Sequence, residues 1–226
     1  NNYIIMCTHE GLIKKTKLEA YSRPRANGVN AISFREDDSL IEARLTSGKS
    51  QMVLAARSGK SIRFEEEQIR AIGRTGSGVK GIALDEGDEV IGMLTIEPDS
   101  HNDIFVVTEN GMGKRTDVEE YRVQSRGGKG VKALNVTEKT GKLVSIQLVS
   151  DDDDMIIINR SGLTIRMRVS DIRQTGRATQ GVKVINLRGD DAIASVIAVP
   201  HSEDEVVDPA VVVEPVEENS VEKIEE

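Results

Sequence analysis

The stretch GVKALNV occupies residues 130–136, and near-copies stand at 78–84 (GVKGIAL) and 181–187 (GVKVINL). Its opening Gly-Val pair is also present at Gly28-Val29, so the pair recurs at steps of 50, 52 and 51 residues. A fixed period of this size is the signature of a repeat architecture. Two other features keep the same phase. An apolar run closes on a glycine in IIMCTHEG (4–11), MVLAARSG (52–59), IFVVTENG (104–111) and MIIINRSG (155–162). An acid-rich turn separates two apolar stretches in FREDDSLIEARL (34–45), LDEGDEVIGMLTI (84–96), VTEKTGKLVSIQLV (136–149) and LRGDDAIASVIAV (187–199). The chain is read as four units, at about 3–46, 47–97, 98–150 and 151–200, followed by a tail at 201–226.

Each unit reads as strands. IIMCT, MVLAA, IFVVT and MIIIN are short apolar runs of strand length, most of them rich in β-branched residues. Asn110-Gly111 and Ser161-Gly162 are hairpin pairs, because glycine accepts a positive φ at little cost. After the turn, Ile62-Arg63-Phe64 and Ile165-Arg166-Met167 alternate. The segments VKGIAL, VKALNV and VKVINL read as a third strand, and the apolar stretch after the acidic turn as a fourth. EEEQI and VEEY are short enough for one helical turn, and no segment sustains a 3.6-residue period. Four-stranded units in series predict an all-β, propeller-like disc.

The 226 residues carry a formal net charge of −8, but the average conceals two regions. Residues 201–226 hold ten acids and one lysine, while the first 200 residues hold 29 basic and 28 acidic groups. The tail, with Pro209 and Pro215 and no aromatic residue, is expected to be a disordered or loosely held acidic arm. No run of eighteen apolar residues suggests a membrane span. The single Cys7, inside IIMCT, excludes an internal disulfide and fits a buried residue in a reducing cytoplasm. Three isolated histidines offer no zinc spacing.

The cations obey the repeat. Arg74, Arg126 and Arg177 lie four residues before a Gly-Val pair, and Arg70, Arg122 and Arg173 lie eight before. Lys80, Lys132 and Lys183 follow two residues after the glycine. The first unit departs from this pattern, with Arg23 and Arg25 around Pro24 and Asn30 in place of lysine. Second strands add Lys14, Lys15, Arg63, Lys114, Arg115, Arg166 and Arg168. Equivalent positions in a repeat occupy equivalent places on the disc, so all of these are expected to form one band around its edge. Such a band suits a polyanion on a curved path. Duplex DNA carries about one charge per 1.7 Å, and bending it demands many phosphate contacts.

Within this set the loop QSRGGKG at 124–130 stands out, with Gln124, Arg126, Gly127, Gly128, Lys129 and Gly130 as candidate DNA-binding residues. Its glycines would let backbone N–H groups approach phosphate closely. Competing motifs fail. Gly76–Gly81 fits G-x-G-x-x-G as a string but precedes a strand rather than a helix. GGKGVK lacks the Ser or Thr of a P-loop. Asp151–Asp154 lacks the glycine and distal Glu of a calcium loop. Neither Tyr3, Tyr21 nor Tyr121 has a base nearby in sequence, and a 3% aromatic content without Trp argues against single-strand stacking.

The phased units, ENGMGKRT at 109–116, EEYRVQSRGGKGVK at 119–132 and GRATQGVKVINL at 176–187 resemble the C-terminal domain family of the DNA gyrase A subunit. QSRGGKG is similar to that family's basic box, Q-R-R-G-G-K-G, with Ser125 in place of an arginine. The resemblance covers residues 3–199 and implies a β-pinwheel, a disc whose blades exchange strands, usually six in number, so that two blades are expected upstream. It implies duplex DNA wrapped around the rim with positive handedness. The holoenzyme, an A2B2 assembly with gyrase B, would then introduce negative supercoils with ATP and Mg held on that partner, in the bacterial cytoplasm at the nucleoid. The family's cleavage tyrosine and its supporting arginine lie in another region, so this chain is expected to catalyse nothing alone and to hold no cofactor or metal. The box falls in the third unit here, although many members carry it in the first. The alternatives are the related pinwheel of the topoisomerase IV A subunit, which acts in decatenation and generally lacks the box, and a protein-interaction β-propeller, whose Trp-Asp or His-rich signatures are absent from the sequence.

Overall fold

The structure, a computed structural model, describes residues 2–202. The expected acidic arm therefore lies outside the described residues, apart from its first two positions. Fifteen strands are present among the described residues, in four antiparallel sheets. They are β1 (Tyr3–Thr8), β2 (Leu12–Lys17), β3 (Leu40–Thr46), β4 (Gln51–Ala56), β5 (Lys60–Glu65), β6 (Val79–Lys80), β7 (Val90–Ile96) and β8 (Asp103–Thr108). There follow β9 (Met112–Asp117), β10 (Val131–Lys132), β11 (Leu143–Val149), β12 (Asp153–Asn159), β13 (Thr164–Arg168), β14 (Val182–Lys183) and β15 (Ile193–Pro200). One turn of 3-10 helix follows each second strand, at Leu18–Tyr21, Glu66–Gln68, Val118–Glu120 and Val169–Asp171.

The sheet orders are β3-β1-β2-β6, β10-β5-β4-β7, β11-β8-β9-β14 and β13-β12-β15. The short strand of each unit therefore completes the sheet of the unit before it: Lys80 pairs with Leu12, Lys132 with Lys60 and Lys183 with Met112. This strand exchange is what the family resemblance implied. The segments read as long third strands are only two residues long, because the chain then turns inward. The N–H groups of Gly81 and Ile82 both reach the carbonyl of Gly11, and those of Ala133 and Leu134 reach that of Gly59. Ile82, Ala133, Leu134, Val184 and Ile185 plug the space between sheets instead of extending the ladder.

Glycine is needed at the exchange point. Gly130 has φ +72°, and a Cβ there would sit 2.2 Å from the Ser61 carbonyl oxygen. Gly78 and Gly181 repeat the arrangement, at 2.6 Å from Ile13 O and 2.5 Å from Gly113 O.

Sheets stack face to face, which explains the unbroken apolar first strands. Side chains alternate across a strand. Met52 and Leu54 pack with Ile5, Cys7 and Ile13 of the first sheet, while Val53 and Ala55 pack with Ile104 and Val106 of the third. Phe105 and Val107 in turn meet Met155 and Ile157 of the fourth. Burial of each Val, Leu, Ile, Phe or Met side chain among these contributes roughly 1.5–3 kcal/mol. Cys7 is fully buried, as its sequence context suggested, and burial raises its thiol far above the ordinary range.

Candidate nucleic-acid interface

The cations of the second strands do not join an outer band. Lys14, Lys15, Arg63 and Lys114 are 1%, 6%, 6% and 0% exposed, and Arg115 keeps 13% of its side-chain surface. The expectation of an exterior position is corrected for all five. The reason lies in the repeat: each of the first three second strands is covered by the 3-10 turn and basic loop of the next unit, with parallel bridges Lys15–Ala71, Arg63–Val123 and Arg115–Gln174. Buried charge must be paired or hydrogen-bonded, and each of these is. Lys15 Nζ lies 2.8 Å from Glu66 Oε1 and 4.3 Å from the centre of the Tyr3 ring. Arg63 donates from Nη1 to the carbonyls of Val118 (2.7 Å) and Tyr121 (3.1 Å), and from Nη2 to Glu119 Oε1 (3.0 Å). Arg115 donates to the Ile172 carbonyl and pairs with Asp103 and Asp151. Lys14 donates to the carbonyls of Ala31 (2.6 Å) and Arg74, and Lys114 to those of Gly176 (2.8 Å), Arg177 and Thr179 (3.2 Å).

The last second strand behaves differently. No following unit covers β13 among the described residues, and Arg166 and Arg168 stay exposed. Arg166 pairs with Asp154 at 2.7 Å, and Arg168 meets the His201 ring at 2.8 Å. Hydrogen bonds from His201 and Arg166 hold the Asp154 carboxyl below the usual carboxylate range.

The loops form the outer face. Arg23, Arg25, Arg70, Arg122, Arg173, Lys80, Lys129, Lys132 and Lys183 are all exposed. The side chains of Arg70, Arg122 and Arg173 make no hydrogen bond or ion pair with another described residue. Arg74, Arg126 and Arg177 are half-buried, and each does the same work. Its Nη1 donates to the carbonyl of the residue two after the preceding unit's Gly-Val glycine: Asn30 (3.2 Å), Lys80 and Lys132. This repeated bond lays each loop against the preceding unit, on the irregular stretch at Asn30 in the first and on the short strands β6 and β10 in the next two, which places Lys80 beside the 124–130 loop and Lys132 beside the 173–179 loop. Exposed cations of consecutive units thereby become neighbours.

Two residues that sequence reasoning passed over share in this. Gln68 Oε1 accepts from the Arg126 N–H at 2.7 Å, and Glu120 Oε2 from the Arg177 N–H at 2.8 Å. Both close a 3-10 turn, so their common place in the repeat was the signal that could have found them. In QSRGGKG, the N–H of Gln124 bonds to Arg63 O (2.8 Å), that of Gly127 bonds to Gly81 O (2.7 Å), and Gly128 O accepts from Ala83 N–H (2.9 Å). Gly127, at φ +80°, and Gly130 thus serve close backbone approach to the neighbouring unit. Lys129 is the exposed charge of that loop, and Arg122 lies exposed just before it. No cluster of residues suited to a metal ion occurs among the described residues, and no helix is long and apolar enough to cross a membrane.

Comparison with known proteins follows the same four units. Residues 2–47, 51–97, 102–150 and 153–200 each match the family described as DNA gyrase C-terminal domain, beta-propeller. The DNA gyrase A subunit of Staphylococcus aureus strain MRSA252 is 45% identical over 205 residues, which cover 91% of this chain and 23% of that protein. The same protein from strain NCTC 8325 is 46% identical over 198 residues, covering 88% and 22%. The chain thus spans less than a quarter of these relatives' length. Among solved structures, the C-terminal domain of DNA topoisomerase IV superposes with a TM-score of 0.84 at 26% identity, covering 88% of this chain and 62% of that one. The DNA gyrase A C-terminal domain superposes with a TM-score of 0.77 at 23% identity, covering 87% and 65%. With its repeat, strand exchange and all four units matched, the chain belongs to the DNA gyrase C-terminal domain, beta-propeller family.

Proposed function

We propose that this chain is the DNA-wrapping domain of a gyrase A subunit, which bends duplex DNA along the arc of its exposed basic loops. The observation that carries the reading is the guanidinium bond made three times, by Arg74, Arg126 and Arg177, to the preceding unit. It converts separate loops into one curved cationic track. Phosphate neutralisation along such a track releases counterions and carries no sequence code, so binding is sequence-tolerant and steeply salt-dependent. In this reading the domain works inside an A2B2 holoenzyme in the bacterial cytoplasm, with ATP and Mg on gyrase B, and itself holds no cofactor. The share of the two solved domains that the chain covers, 62% and 65%, fits four units of a disc of about six.

The test uses the intact protein. Nicked plasmid is saturated with it, ligated and freed of protein. The expected result is a shift in linking number that grows with protein and vanishes at high salt; an unshifted distribution contradicts wrapping. A second reading, the C-terminal domain of the topoisomerase IV A subunit, is favoured by the TM-score of 0.84. The 45–46% identity to gyrase A and the QSRGGKG loop favour the first. Holoenzyme that decatenates without introducing negative supercoils would favour the second.

A further inference from the structure

Lys14 and Lys114 occupy the same place in the first and third units, and Ile62 and Ile165 occupy it in the second and fourth. A lysine buried to 0–1% at a position that elsewhere takes isoleucine is costly, and its surroundings show what it does. Around Lys114 Nζ converge the carbonyls of Gly176, Arg177 and Thr179 and the Thr179 hydroxyl (3.3 Å). Around Lys14 Nζ converge the carbonyls of Ala31 and Arg74. The peptide unit is planar and trans, so a carbonyl directed inward sets the next residue's N–H outward. The Arg177 and Thr179 carbonyls point at the ammonium, which turns the N–H groups of Ala178 and Gln180 away from it; the Arg74 carbonyl does the same for Thr75. Ala178 and Thr75 are exposed and Gln180 is half-buried. The Thr179 N–H between them is held inside the turn by the Gly176 carbonyl (3.2 Å), so Ala178 and Gln180, and Thr75 singly, are the amides left facing outward, where a backbone N–H can donate to a DNA phosphate. These loops also carry the exposed Arg173 and Arg70.

We propose that Lys114 and Lys14 are positioning residues for phosphate: by drawing loop carbonyls inward, they present the amides of Ala178 and Gln180, and of Thr75, to the DNA backbone. This rests on the reading that the loops hold duplex DNA. The 124–130 loop sits over Ile62 instead, and its Gly128 carbonyl is taken by Ala83 N–H. Its grip on phosphate therefore comes from Arg122 and Lys129 rather than from a stapled turn.

Proton linkage gives the proposal a readout that a structural role lacks. Burial lowers the Lys114 amine from 10.5 to about 8, with Glu120 opposing the shift and Arg177 assisting it. Burial, with Arg74, also lowers that of Lys14. The folded chain therefore binds fewer protons than the unfolded chain between about pH 8 and 10.5, so stability rises with pH through that window. The neutral amine has only two N–H groups for its acceptors, so loop order and DNA affinity fall over the lower part of the same window. Binding and stability move in opposite directions.

The experiment compares the wild type with Lys114→Ile in the intact protein, using a fluorescent random-sequence duplex. At pH 7 the variant should bind roughly tenfold more weakly, the equivalent of about one charge-assisted hydrogen bond, with the four sheets still protected from exchange and faster amide exchange confined to 176–180. The wild-type affinity should fall between pH 7 and 9 with a midpoint near 8, and the variant should show no such component. Unchanged affinity in a folded Lys114→Ile overturns the proposal, as does a flat wild-type profile. Should Lys114→Ile fail to fold, Lys114→Arg decides: retained binding with a flattened profile supports the staple, and a wild-type profile contradicts it. Arg122→Ala separates the layers. If it weakens binding while Lys114→Ile does not, only this inference fails; if neither does, the DNA-binding reading fails with it.

Discussion

The second strands and the basic loops are equally cationic and equally phased, yet one set of charges is interior and the other exterior. Arg63 and Arg122 make the contrast plain. Arg63 is buried, with Nη1 and Nη2 held by the next unit's turn and Nε by Gln51 of its own sheet, whereas the Arg122 side chain is exposed and makes no bond to another described residue. What separates them is the covering neighbour. Arg166, the fourth-unit counterpart of Arg63, lacks that neighbour among the described residues and is exposed. In a strand-exchanged disc, phase identifies equivalent residues, and the adjoining unit decides which of them meet solvent.

The largest effect expected from breaking this contrast is on the interior side. Arg63→Ala takes the guanidinium donors from the Tyr121 carbonyl and Gln51 Oε1 and one of two donors from the Val118 carbonyl, and each buried acceptor left unsatisfied costs about 1–3 kcal/mol. Native-state hydrogen exchange in the intact protein should show that loss in β5 and the 118–121 turn, with the salt slope of DNA binding unchanged. A reduced slope at full protection would move Arg63 to the DNA-facing set.

Next comes the exchange point. Gly130→Ala imposes a positive φ on alanine, about 1–3 kcal/mol, and forces Cβ to 2.2 Å from Ser61 O. Gly28→Ala incurs the backbone term alone, because nothing lies within 4 Å of its Cβ position. Exchange protection at β5 should therefore fall far more in the first variant than protection near residue 28 in the second. Equal losses would mean that conformation rather than close approach explains the glycine.

The smallest change in stability belongs to the loops. Arg122→Ala should alter stability by less than about 0.5 kcal/mol, as surface substitutions usually do, while lowering the slope of log affinity against log salt by about 0.9. Arg126→Ala should do the reverse, loosening the 124–130 loop through loss of its bonds to Lys80 and Gln68. Hydrogen exchange and salt titration of the two variants side by side check this.

Much of the architecture was legible because it is periodic. Four units, their first strands, the Gly111 and Gly162 turns and the 3-10 turns at EEEQI and VEEY are all present. Misread were features set by tertiary neighbours. VKGIAL alternates like a strand, but Gly81 onward is drawn into the gap between sheets. Ile62-Arg63-Phe64 alternates like a half-exposed strand, but both faces are covered. The candidate interface divided in the same way. Exposure of Arg70, Arg122 and Arg173 in the loops, and of Lys80, Lys132 and Lys183 on the short exchanged strands, followed from their place in the repeat. The inward position of Lys14 and Lys114 did not, since single-residue identity says nothing about which carbonyls will converge on an ammonium. Arg126 looked like a free phosphate ligand from its glycine-rich context, and only its bond to Lys80 shows that it also joins two units.

The most direct test of the account is the salt dependence of duplex binding by intact protein carrying Arg70→Ala, Arg122→Ala and Arg173→Ala together. Each arginine occupies the same exposed place in its unit, and its side chain makes no bond to another described residue. The account predicts a log–log slope shallower by roughly three, at about 0.9 for each phosphate left unneutralised, with hydrogen-exchange protection of the four sheets unchanged. A slope equal to wild type, in a variant whose sheets remain protected, would contradict a DNA path along these loops.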